Sequence, residues 1–533
     1  MNKKSFVRGA AILGIAGILV QVMGAIFRIP LANIIGDQGM GYYQTVYPIY
    51  VLLLIFSTNG APTAISKMVS ERLALGKLKE AHRVFRLSFI LMLVIGVLAF
   101  LVFFYGAKQI VTALGNPGAY YAMIAISPAL LFVPLMSVYR GYFQGHQSMG
   151  PTAVSQLTEQ AIRVVAGLTF AVLLLDKGLT YAAAGATIGT SVGPIAGVII
   201  LIIIYYRRRE GLHEKLRSSR HEPMESAGSI LAKLASVAVP VTVGVSIMPI
   251  MNLVDVTIIM RRLQYAGFTH QQANALYGQL SGMAGPVINI PMAMALSVAL
   301  SLVPAIAAAN SVKDQDFLDT NIRLGFRTAM IIGIPCTFGL MSLAGPIMQL
   351  FYPMQADSAA NAAPCLFILS TGIIFLSLAQ TMVGILQGLG RPYVAVVSLG
   401  TGVLVNAVLT YVLTGIRALN VQGAAIATVA GLIVVGIMNF GLVKATTGTK
   451  YDLKLSVVRP LISGIVMTVF VLVVYYSLKP VIGNSLATAL SILVGGGVYV
   501  IMLLKTKSIA ANEIKLLPKG ENLIGLLQKM KLI

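Results

Sequence analysis

The side chains best able to do chemistry in this sequence are a few ionisable and amide groups inside long apolar stretches. An ionised group in such a stretch is energetically costly, so each one is a candidate for function. Arg28 lies about 28 Å along a predicted helix that starts near residue 9, and apolar residues continue beyond it. Its guanidinium could line a polar cavity, where it can bind phosphate through two hydrogen bonds. The alternative is a side chain that extends out of the apolar region to a polar boundary.

A second set of charges, Glu159 and Arg163, stands four residues apart in another apolar stretch. That spacing places both side chains on one helix face, with the acid first, which is the favourable order. Two interpretations remain open. The pair either neutralises itself and serves only the packing of helices, or it forms part of a site.

Asn252 and Asp255 share one face of a later predicted helix, with Arg262 about two turns further on. Asp255 could pair with Arg262, bond to a neighbouring helix, face Arg28 or bind a coupling cation. The remaining candidates are neutral amides in apolar stretches, which indicate a site less strongly: Asn33, Gln279 and Asn289.

The composition indicates that a lipid bilayer surrounds these residues. The chain has 533 residues, of which 57% are hydrophobic and 11% charged, whereas soluble domains are about 25% charged. Apolar runs of about 20 residues, enough to cross a bilayer, follow one another almost from end to end. We predict an all-α integral membrane protein with about fourteen transmembrane helices.

The formal net charge of +22 would suggest nucleic-acid binding in a soluble protein. Most of the lysines and arginines, however, fall in segments that are cytoplasmic if the N-terminus is inside. Arg140, at the end of the predicted fourth helix, is counted among them. This distribution follows the positive-inside rule. We expect a multi-pass protein of the bacterial cytoplasmic membrane, with both termini in the cytoplasm and no nucleic-acid partner.

The sequence contains no arrangement of residues typical of an enzyme or a metal site. Histidines do not cluster with other ligands, and no phosphate-binding loop or pair of carboxylates on a large loop is present. Cys336 and Cys365 fall in apolar helical stretches, which favours buried free thiols. We expect no catalytic residue and no cofactor; a coupling cation or the membrane potential could drive a transport cycle.

Four tyrosines cluster at the predicted outer start of the second helix: Tyr42, Tyr43, Tyr47 and Tyr50. The chain has no tryptophan, so these tyrosines are predicted to form the aromatic belt at the membrane interface. Stacking against a sugar is the alternative.

Two motifs recur about 240 positions apart, which indicates an internal repeat. Residues 141–145 (GYFQG) return as 384–388 (GILQG), and residues 185–190 return as 423–428. Each interval spans six predicted helices, an even number, so both copies have the same orientation. This predicts two six-helix lobes related by a pseudo-twofold axis along the membrane normal, an arrangement that transporters use.

The densest run of predicted cytoplasmic charge separates the sixth helix from the seventh and marks a linker. The last two helices lie outside the repeat, and the C-terminal residues combine Leu and Ile at helical spacing with lysines, as in a cationic amphipathic helix. The predicted segments are an N-terminal lobe (1–206), a basic linker (207–226), a C-terminal lobe (227–444), a helix pair (445–505) and an amphipathic tail (506–533).

Several motifs resemble one family of membrane transporters. They are residues 27–30 (FRIP), 36–39 (GDQG), 64–67 (AISK) and, above all, 140–145 (RGYFQG) leading to 151–156 (PTAVSQ) with Glu159, Gln160 and Arg163. With these motifs the sequence is similar to the polysaccharide-transporter branch of the multidrug/oligosaccharidyl-lipid/polysaccharide exporter superfamily. That branch includes lipid II flippases, other flippases for lipid-linked sugars and the stage V sporulation protein B group.

The resemblance implies a transporter that alternates between inward-open and outward-open states. A cationic central cavity would bind the pyrophosphate and sugar of an undecaprenyl-linked precursor of a cell-wall or surface polysaccharide, and the last two helices would guide its lipid tail. Arg28 falls where related lipid II flippases place a cavity arginine. Gln279 stands where a further arginine is expected, which leaves lipid II, teichoic, capsular and other polyprenyl-linked glycans open.

Two functions from other classes also remain open. A cation-coupled antiporter of the same superfamily, for drugs or solutes, would bind its cation at Asp255 and have an acidic or apolar cavity. A membrane-embedded glycan polymerase or transferase would need a large outer loop with acidic catalytic residues, for which the outer loops have no room. The favoured prediction is a flippase that acts as a monomer.

Overall fold

The computed structural model describes residues 3–55, 60–207, 225–312 and 314–508. All regular secondary structure in these ranges is helical. Most of the predicted linker (207–226) and of the predicted amphipathic tail (506–533) lies outside the described residues.

Contacts between helices divide the chain into two compact units. The first unit comprises the described residues up to Gln264 together with Phe268–Gly278. The second comprises Tyr265–Gly267 and the described residues from Gln279 onward. The seventh predicted helix, expected to open the C-terminal lobe, falls in the first unit. The lobe boundaries inferred from the repeat remain predictions.

The helices of the first unit are α1 (Lys3–Ile55), α2 (Ala61–Ala74), α3 (Leu78–Tyr105), α4 (Ala107–Ala113), α5 (Tyr120–Ile126), α6 (Ala129–Gly145), α7 (Gly150–Leu173), α8 (Leu179–Arg207), α9 (Ala227–Tyr265) and α10 (His270–Tyr277). Helix α1 is broken at Gly36, whose φ of 65° lies in the left-handed region that glycine adopts without strain. The break turns one long apolar run into two consecutive spans.

One apolar core of the first unit is formed by α2, α3, α6, α8 and the beginning of α9. Its buried members include Ile65, Val84, Leu201 and Ile230. Helix α9 approaches α2 closely at Gly60, where an added methyl group would lie 1.9 Å from Oγ1 of Thr242. A larger residue at position 60 would therefore separate the two helices.

The helices of the second unit are α11 (Gly285–Ser311), α12 (Gln315–Ser342), α13 (Ala344–Phe351), α14 (Ala356–Thr371), α15 (Ile373–Gly388), α16 (Pro392–Thr414), α17 (Asn420–Thr447) and α18 (Arg459–Lys505). Helix α18 is broken in the same way as α1, because Gly483 at φ 77° splits it into two spans. Two π-helical turns, Gly278–Ala284 and Lys454–Val458, precede α11 and α18.

The predicted fold class is confirmed: the protein is an all-α, multi-pass membrane protein. Among the described residues, nine helical segments are long and apolar enough to cross a membrane, and a bent pair gives a tenth. Two of these segments contain the glycine breaks in α1 and α18, so each supplies two of the predicted spans.

The repeated glycine motifs make the same packing contacts within each unit. A methyl group added at Gly145 on α6 would lie 2.7 Å from Cβ of Val69 and 3.0 Å from the Ser66 carbonyl on α2. At Gly388 on α15 it would lie 2.7 Å from Cβ of Ile306 and 2.8 Å from the Val303 carbonyl on α11. The motifs therefore recur because each copy lets two helix backbones approach closely.

Three positions after the second motif (185–190 and 423–428), Gly193 and Gly431 have the same role in the pairs α7–α8 and α16–α17. A methyl group at Gly193 would lie 2.7 Å from the Glu159 carbonyl and 3.2 Å from Cβ of Arg163. At Gly431 it would lie 2.8 Å from the Gly402 carbonyl and 3.2 Å from Cβ of Asn406.

Candidate functional site

Two arginines and one glutamate form a buried charge cluster in the first unit. Arg140 on α6 and Glu159 and Arg163 on α7 are each less than one-tenth exposed. Nη2 of Arg140 lies 2.9 Å from Oε2 of Glu159, and Nη2 of Arg163 lies 3.5 Å from Oε1. Both oxygens of one carboxylate thus face guanidinium groups, and the three residues together carry one excess positive charge.

Neighbouring polar groups complete the cluster. Nε of Arg140 donates to Oγ of Ser155 at 2.9 Å, and Nη1 of Arg163 donates to Oε1 of Gln160 at 3.3 Å. The hydroxyl of Tyr50, on α1, accepts a hydrogen bond from Arg163 and donates to Oε1 of Glu159 at 3.4 Å. These bonds take the place of part of the water that three charged groups lose when they are buried.

A row of tyrosines on α1 connects this cluster to Arg28. The guanidinium carbon of Arg163 lies 5.0 Å from the centroid of the Tyr50 ring. The Tyr50 ring contacts that of Tyr47 at 6.0 Å, and the guanidinium carbon of Arg28 lies 5.0 Å from the Tyr47 centroid. Arginine over an aromatic face is a favourable cation–π contact. The side chain of Arg28 is half-buried, unlike the buried arginines of the cluster.

Arg140 and the tyrosines of α1 have surroundings that the sequence does not predict. Arg140, counted among the cytoplasmic charges, is 3% exposed and pairs with Glu159. The aromatic belt does not form at Tyr43 and Tyr50, which are 1% and 0% exposed and pack inside the unit. Arg140 begins a motif of small and aromatic residues, and α6 ends at the last residue of that motif, Gly145. The arginine therefore lies more than one turn inside the helix.

The predicted contact between Glu159 and Arg163 is present, but sequence spacing missed the closer partner. Arg140 precedes Glu159 by nineteen positions and comes from a different helix. A pairing of that kind has no periodicity in the sequence. The one indication in the sequence is that both residues lie in segment 140–163, which carries the family resemblance.

The second unit builds the same helix packing without these charges. The matched contacts of Gly193 and Gly431 place Gly402 where Glu159 stands and Asn406 where Arg163 stands. Val383 precedes Gly384, as Arg140 precedes Gly141. The buried charges are therefore a property of the first unit and not a requirement of the repeated fold.

The other candidate residues are distributed over both units. In the first unit, Asn33 is half-buried and donates to the Ile29 carbonyl at 3.0 Å, Asn252 is exposed and Asp255 is half-buried. In the second unit, Gln279 is buried in the π-helical turn Gly278–Ala284, and Asn289 is half-buried on α11. Their roles in binding remain predictions.

The described residues hold no group of three or more His, Cys, Asp or Glu side chains that could bind a metal ion. Cys336 and Cys365 are both free thiols; Cys365 is buried and Cys336 is half-buried.

A second charge cluster lies where α2, α3 and the beginning of α9 meet. The buried Arg72 guanidinium lies 2.5 Å from Oε2 of Glu225 and 3.7 Å from Oε2 of Glu80. Nζ of Lys233 lies 2.5 Å from the other oxygen of Glu225. Hydrogen bonds from Lys233 and Ser229, together with the charge of Arg72, lower the pKa of Glu225 to about 2.

A network of polar side chains fixes the opposite end of α9 and the start of α10. Nδ2 of Asn116 donates to Oγ1 of Thr45 and to Oδ1 of Asn274, both at 2.7 Å. Nη2 of Arg261 and Nε2 of Gln264 donate to the carbonyls of Ala113 and Gly115 at 2.7 Å. Helix α9 is thus anchored to the rest of the first unit at both ends, a feature that the sequence did not reveal.

Long apolar helices in two units with repeated internal packing define a multi-pass membrane protein, and one of the units has buried charge. The chain belongs to the family described as polysaccharide biosynthesis protein, whose model matches residues 6–310, and the MatE model matches residues 281–412. It is therefore a member of the multidrug/oligosaccharidyl-lipid/polysaccharide exporter superfamily.

Related proteins span almost the whole chain. Lipid II flippase MurJ of Bacillus subtilis (strain 168) is 30% identical over 92% of this chain and 94% of its own length. Stage V sporulation protein B of the same organism is 26% identical over 97% and 98%. Among solved structures, a lipid II flippase MurJ in an inward closed conformation superposes with a TM-score of 0.67 at 16% identity, covering 92% of this chain and 97% of that one. The structural match establishes the fold.

Proposed function

We propose that this protein is a flippase that moves an undecaprenyl-pyrophosphate-linked oligosaccharide across the cytoplasmic membrane by alternating access. The observation that carries the proposal is the position of Arg28, which is half-buried and rests on the Tyr47 ring. An aromatic face attracts a cation but carries no negative charge. The Tyr47 ring therefore does not neutralise the guanidinium. The guanidinium can bind a phosphate through two parallel hydrogen bonds.

The chemistry of the substrate explains why such a group is needed. A charged pyrophosphate and its sugar cannot cross about 30 Å of hydrocarbon unaided. An arginine on a membrane-embedded helix supplies a partner for the pyrophosphate, while the polyprenyl tail stays in lipid. The relatives support this class of substrate, since one of them is a lipid II flippase.

The proposed substrate is a precursor of a cell-wall or surface polysaccharide. Gln279 occupies a position where the resemblance implies a second arginine, so the headgroup would meet less positive charge than lipid II meets in its flippases. Teichoic, capsular and related polyprenyl-linked glycans fit this proposal as well as lipid II does. The proposed energy source is the membrane potential or a cation bound near Asp255, and the proposed functional state is a monomer with both termini in the cytoplasm.

A cation-coupled antiporter for drugs or solutes is the second candidate, because the MatE model matches residues 281–412. The charge of the first unit argues against it. The cluster around Glu159 carries two guanidinium groups for one carboxylate, and Arg28 adds a further cation. Such a surrounding repels cationic drugs and attracts anionic headgroups.

The test is reconstitution of the purified protein in liposomes with fluorescent undecaprenyl-pyrophosphate-linked sugars. Wild-type protein should move such a sugar to the opposite leaflet, and Arg28→Ala should abolish the movement while the protein stays folded. Glu71→Gln is the matched control, since Glu71 only forms an exposed pair with Lys67. Normal transfer by Arg28→Ala contradicts the proposal, and efflux of a cationic dye driven by a sodium gradient favours the antiporter.

A further inference from the structure

The guanidinium of Arg28 is held by an aromatic row that begins in the buried charge cluster. Tyr47 lies between Tyr43, stacked on it at 5.5 Å, and Tyr50 at 6.0 Å. The spacing of these tyrosines, four and three residues, puts all three on one face of α1. Arg28, on the other side of the Gly36 break, rests on the middle ring.

Helix α7 fixes both ends of this row. At one end, Arg163 covers the Tyr50 ring at 5.0 Å and bonds to its hydroxyl, and Glu159 accepts from the same hydroxyl. At the other end, Phe27 contacts Tyr43 edge-on at 6.3 Å. Phe27 in turn packs on α7 at Gly167, where an added methyl group would lie 3.0 Å from its ring. The tyrosines therefore have little freedom to rotate.

The fold alone does not require these charges. The second unit packs α16 on α17 through the same glycine contacts, with Gly402 and Asn406 in place of Glu159 and Arg163. Buried charges cost free energy unless they are well paired, so their presence in one unit only indicates a role beyond helix packing. The first unit differs from the second in having the half-buried Arg28 on its tyrosine row.

From this geometry we propose that Glu159, Arg163 and Tyr50 are positioning residues for Arg28. They hold the Tyr50 and Tyr47 rings in place, and the Tyr47 ring holds the guanidinium in the orientation that binds the pyrophosphate. None of the three needs to contact the substrate. The inference rests on the proposed function, because it assigns a role in binding the same anionic headgroup.

The experiment is a double-mutant cycle in the reconstituted full-length protein. The probe is a fluorescent undecaprenyl-pyrophosphate-linked sugar, and the half-saturating concentration and maximal rate of transfer are measured together with the thermal unfolding midpoint. The variants are Tyr50→Phe, Arg28→Lys and the two combined. Tyr50→Phe keeps the ring and removes the hydroxyl, and Arg28→Lys keeps the charge and removes the planar fork.

Tyr50→Phe alone should raise the half-saturating concentration about fivefold, because the hydroxyl no longer bonds to Arg163 and Glu159, with an unchanged maximal rate. In the Arg28→Lys background the same change should have less than about a twofold effect, because the orientation that Tyr50 preserves is no longer used. Arg163→Lys, which cannot cover the ring and bond the hydroxyl in the same way, should reproduce Tyr50→Phe. Glu71→Gln should leave all three measurements unchanged.

Two outcomes in a working transporter overturn the inference. Equal effects of Tyr50→Phe in both backgrounds would show that Tyr50 acts independently of Arg28. A lowered unfolding midpoint with an unchanged half-saturating concentration would show a purely structural role. If wild-type protein transfers no lipid-linked sugar at all, the proposed function fails and this inference fails with it, a result distinct from additivity in a working transporter.

Discussion

Arg140 and Glu159 form the closest ion pair of the buried cluster, with 2.9 Å between Nη2 and Oε2, although Arg163 is the partner that helical spacing favours. Arg140 comes from α6 and Glu159 from α7, so the pair joins two helices. Arg163 lies one turn further along α7 and donates hydrogen bonds to both Glu159 and Tyr50. The carboxylate is therefore the centre of the cluster.

The charges of the cluster predict which substitution lowers the stability of the protein most. Glu159→Gln leaves two buried guanidinium groups without a counter-charge, which should destabilise the protein by about 3–5 kcal/mol. Arg140→Gln leaves a neutral pair of Glu159 and Arg163, and should cost about 2 kcal/mol for its lost charge-assisted hydrogen bonds. Thermal unfolding in detergent measures both.

The matched control is Arg323→Gln, because Arg323 is half exposed and forms a single 3.6 Å pair with Asp319. It should change stability by less than about 1 kcal/mol. A larger loss for Arg140→Gln than for Glu159→Gln would contradict the assignment of Glu159 as the centre.

Exchanging Glu159 and Arg163 separates simple pairing from a specific arrangement. The swap keeps both charges on the same face of α7, so a pair that only neutralised itself would tolerate it. In the structure, however, an arginine at position 159 would face Arg140, and a glutamate at position 163 would lose the cover over the Tyr50 ring. We expect the swapped protein to be less stable and to transfer no substrate.

The measurement is the yield of folded protein together with transfer in liposomes. Combining the swap with Arg140→Glu restores one attractive contact and should recover part of the stability. Wild-type transfer by the swapped protein would show that the pair has no specific geometry.

The helical architecture can be predicted from the sequence because it depends on local features. Apolar runs of bilayer length and the glycine motifs at 141–145 and 384–388 are visible without tertiary information, and the structure shows the same close contacts at both. The break at Gly36 was less visible, since glycine is common in membrane helices and only the backbone φ of 65° shows its role.

The candidate site was predicted only in part because most of it depends on contacts between distant segments. Glu159 and Arg163 were found from their spacing, whereas Arg140 and Tyr50 reach them from other helices, nineteen and 109 positions from Glu159. The cluster of tyrosines predicts a membrane interface at Tyr50, and composition cannot distinguish an interface from a buried row. Glu225, at the start of α9, pairs with Arg72 at a separation of 153 positions.

The glycine contacts predict equal effects in the two units. Gly145→Ala and Gly388→Ala each place a methyl group 2.7 Å from a β-carbon and within about 3 Å of a carbonyl oxygen on the facing helix. Each should destabilise the protein by about 1–3 kcal/mol, since the helices must move apart. Gly441→Ala is the control, because no atom lies within 4 Å of the added methyl group. It should be neutral or slightly stabilising, as alanine favours helix over glycine, and thermal unfolding measures all three.

Glu225 predicts how stability depends on pH at the start of α9. Its pKa in the folded protein is about 2, below the ordinary value of 4.5, because Lys233 and Ser229 donate to it and Arg72 lies beside it. A lowered pKa means that the folded state favours the ionised form, so the stabilisation is fully present above pH 4.5 and is lost as the pH falls towards 2. The unfolding midpoint of wild type should therefore exceed that of Glu225→Gln by a constant amount above pH 5, and the difference should shrink progressively below pH 4.5.

Glu71→Gln serves as the control, because Glu71 forms an exposed pair 4.0 Å from Lys67 and should show little difference at any pH. A difference between wild type and Glu225→Gln that persists unchanged at pH 3 would show that the carboxylate is not held in its ionised form by these contacts.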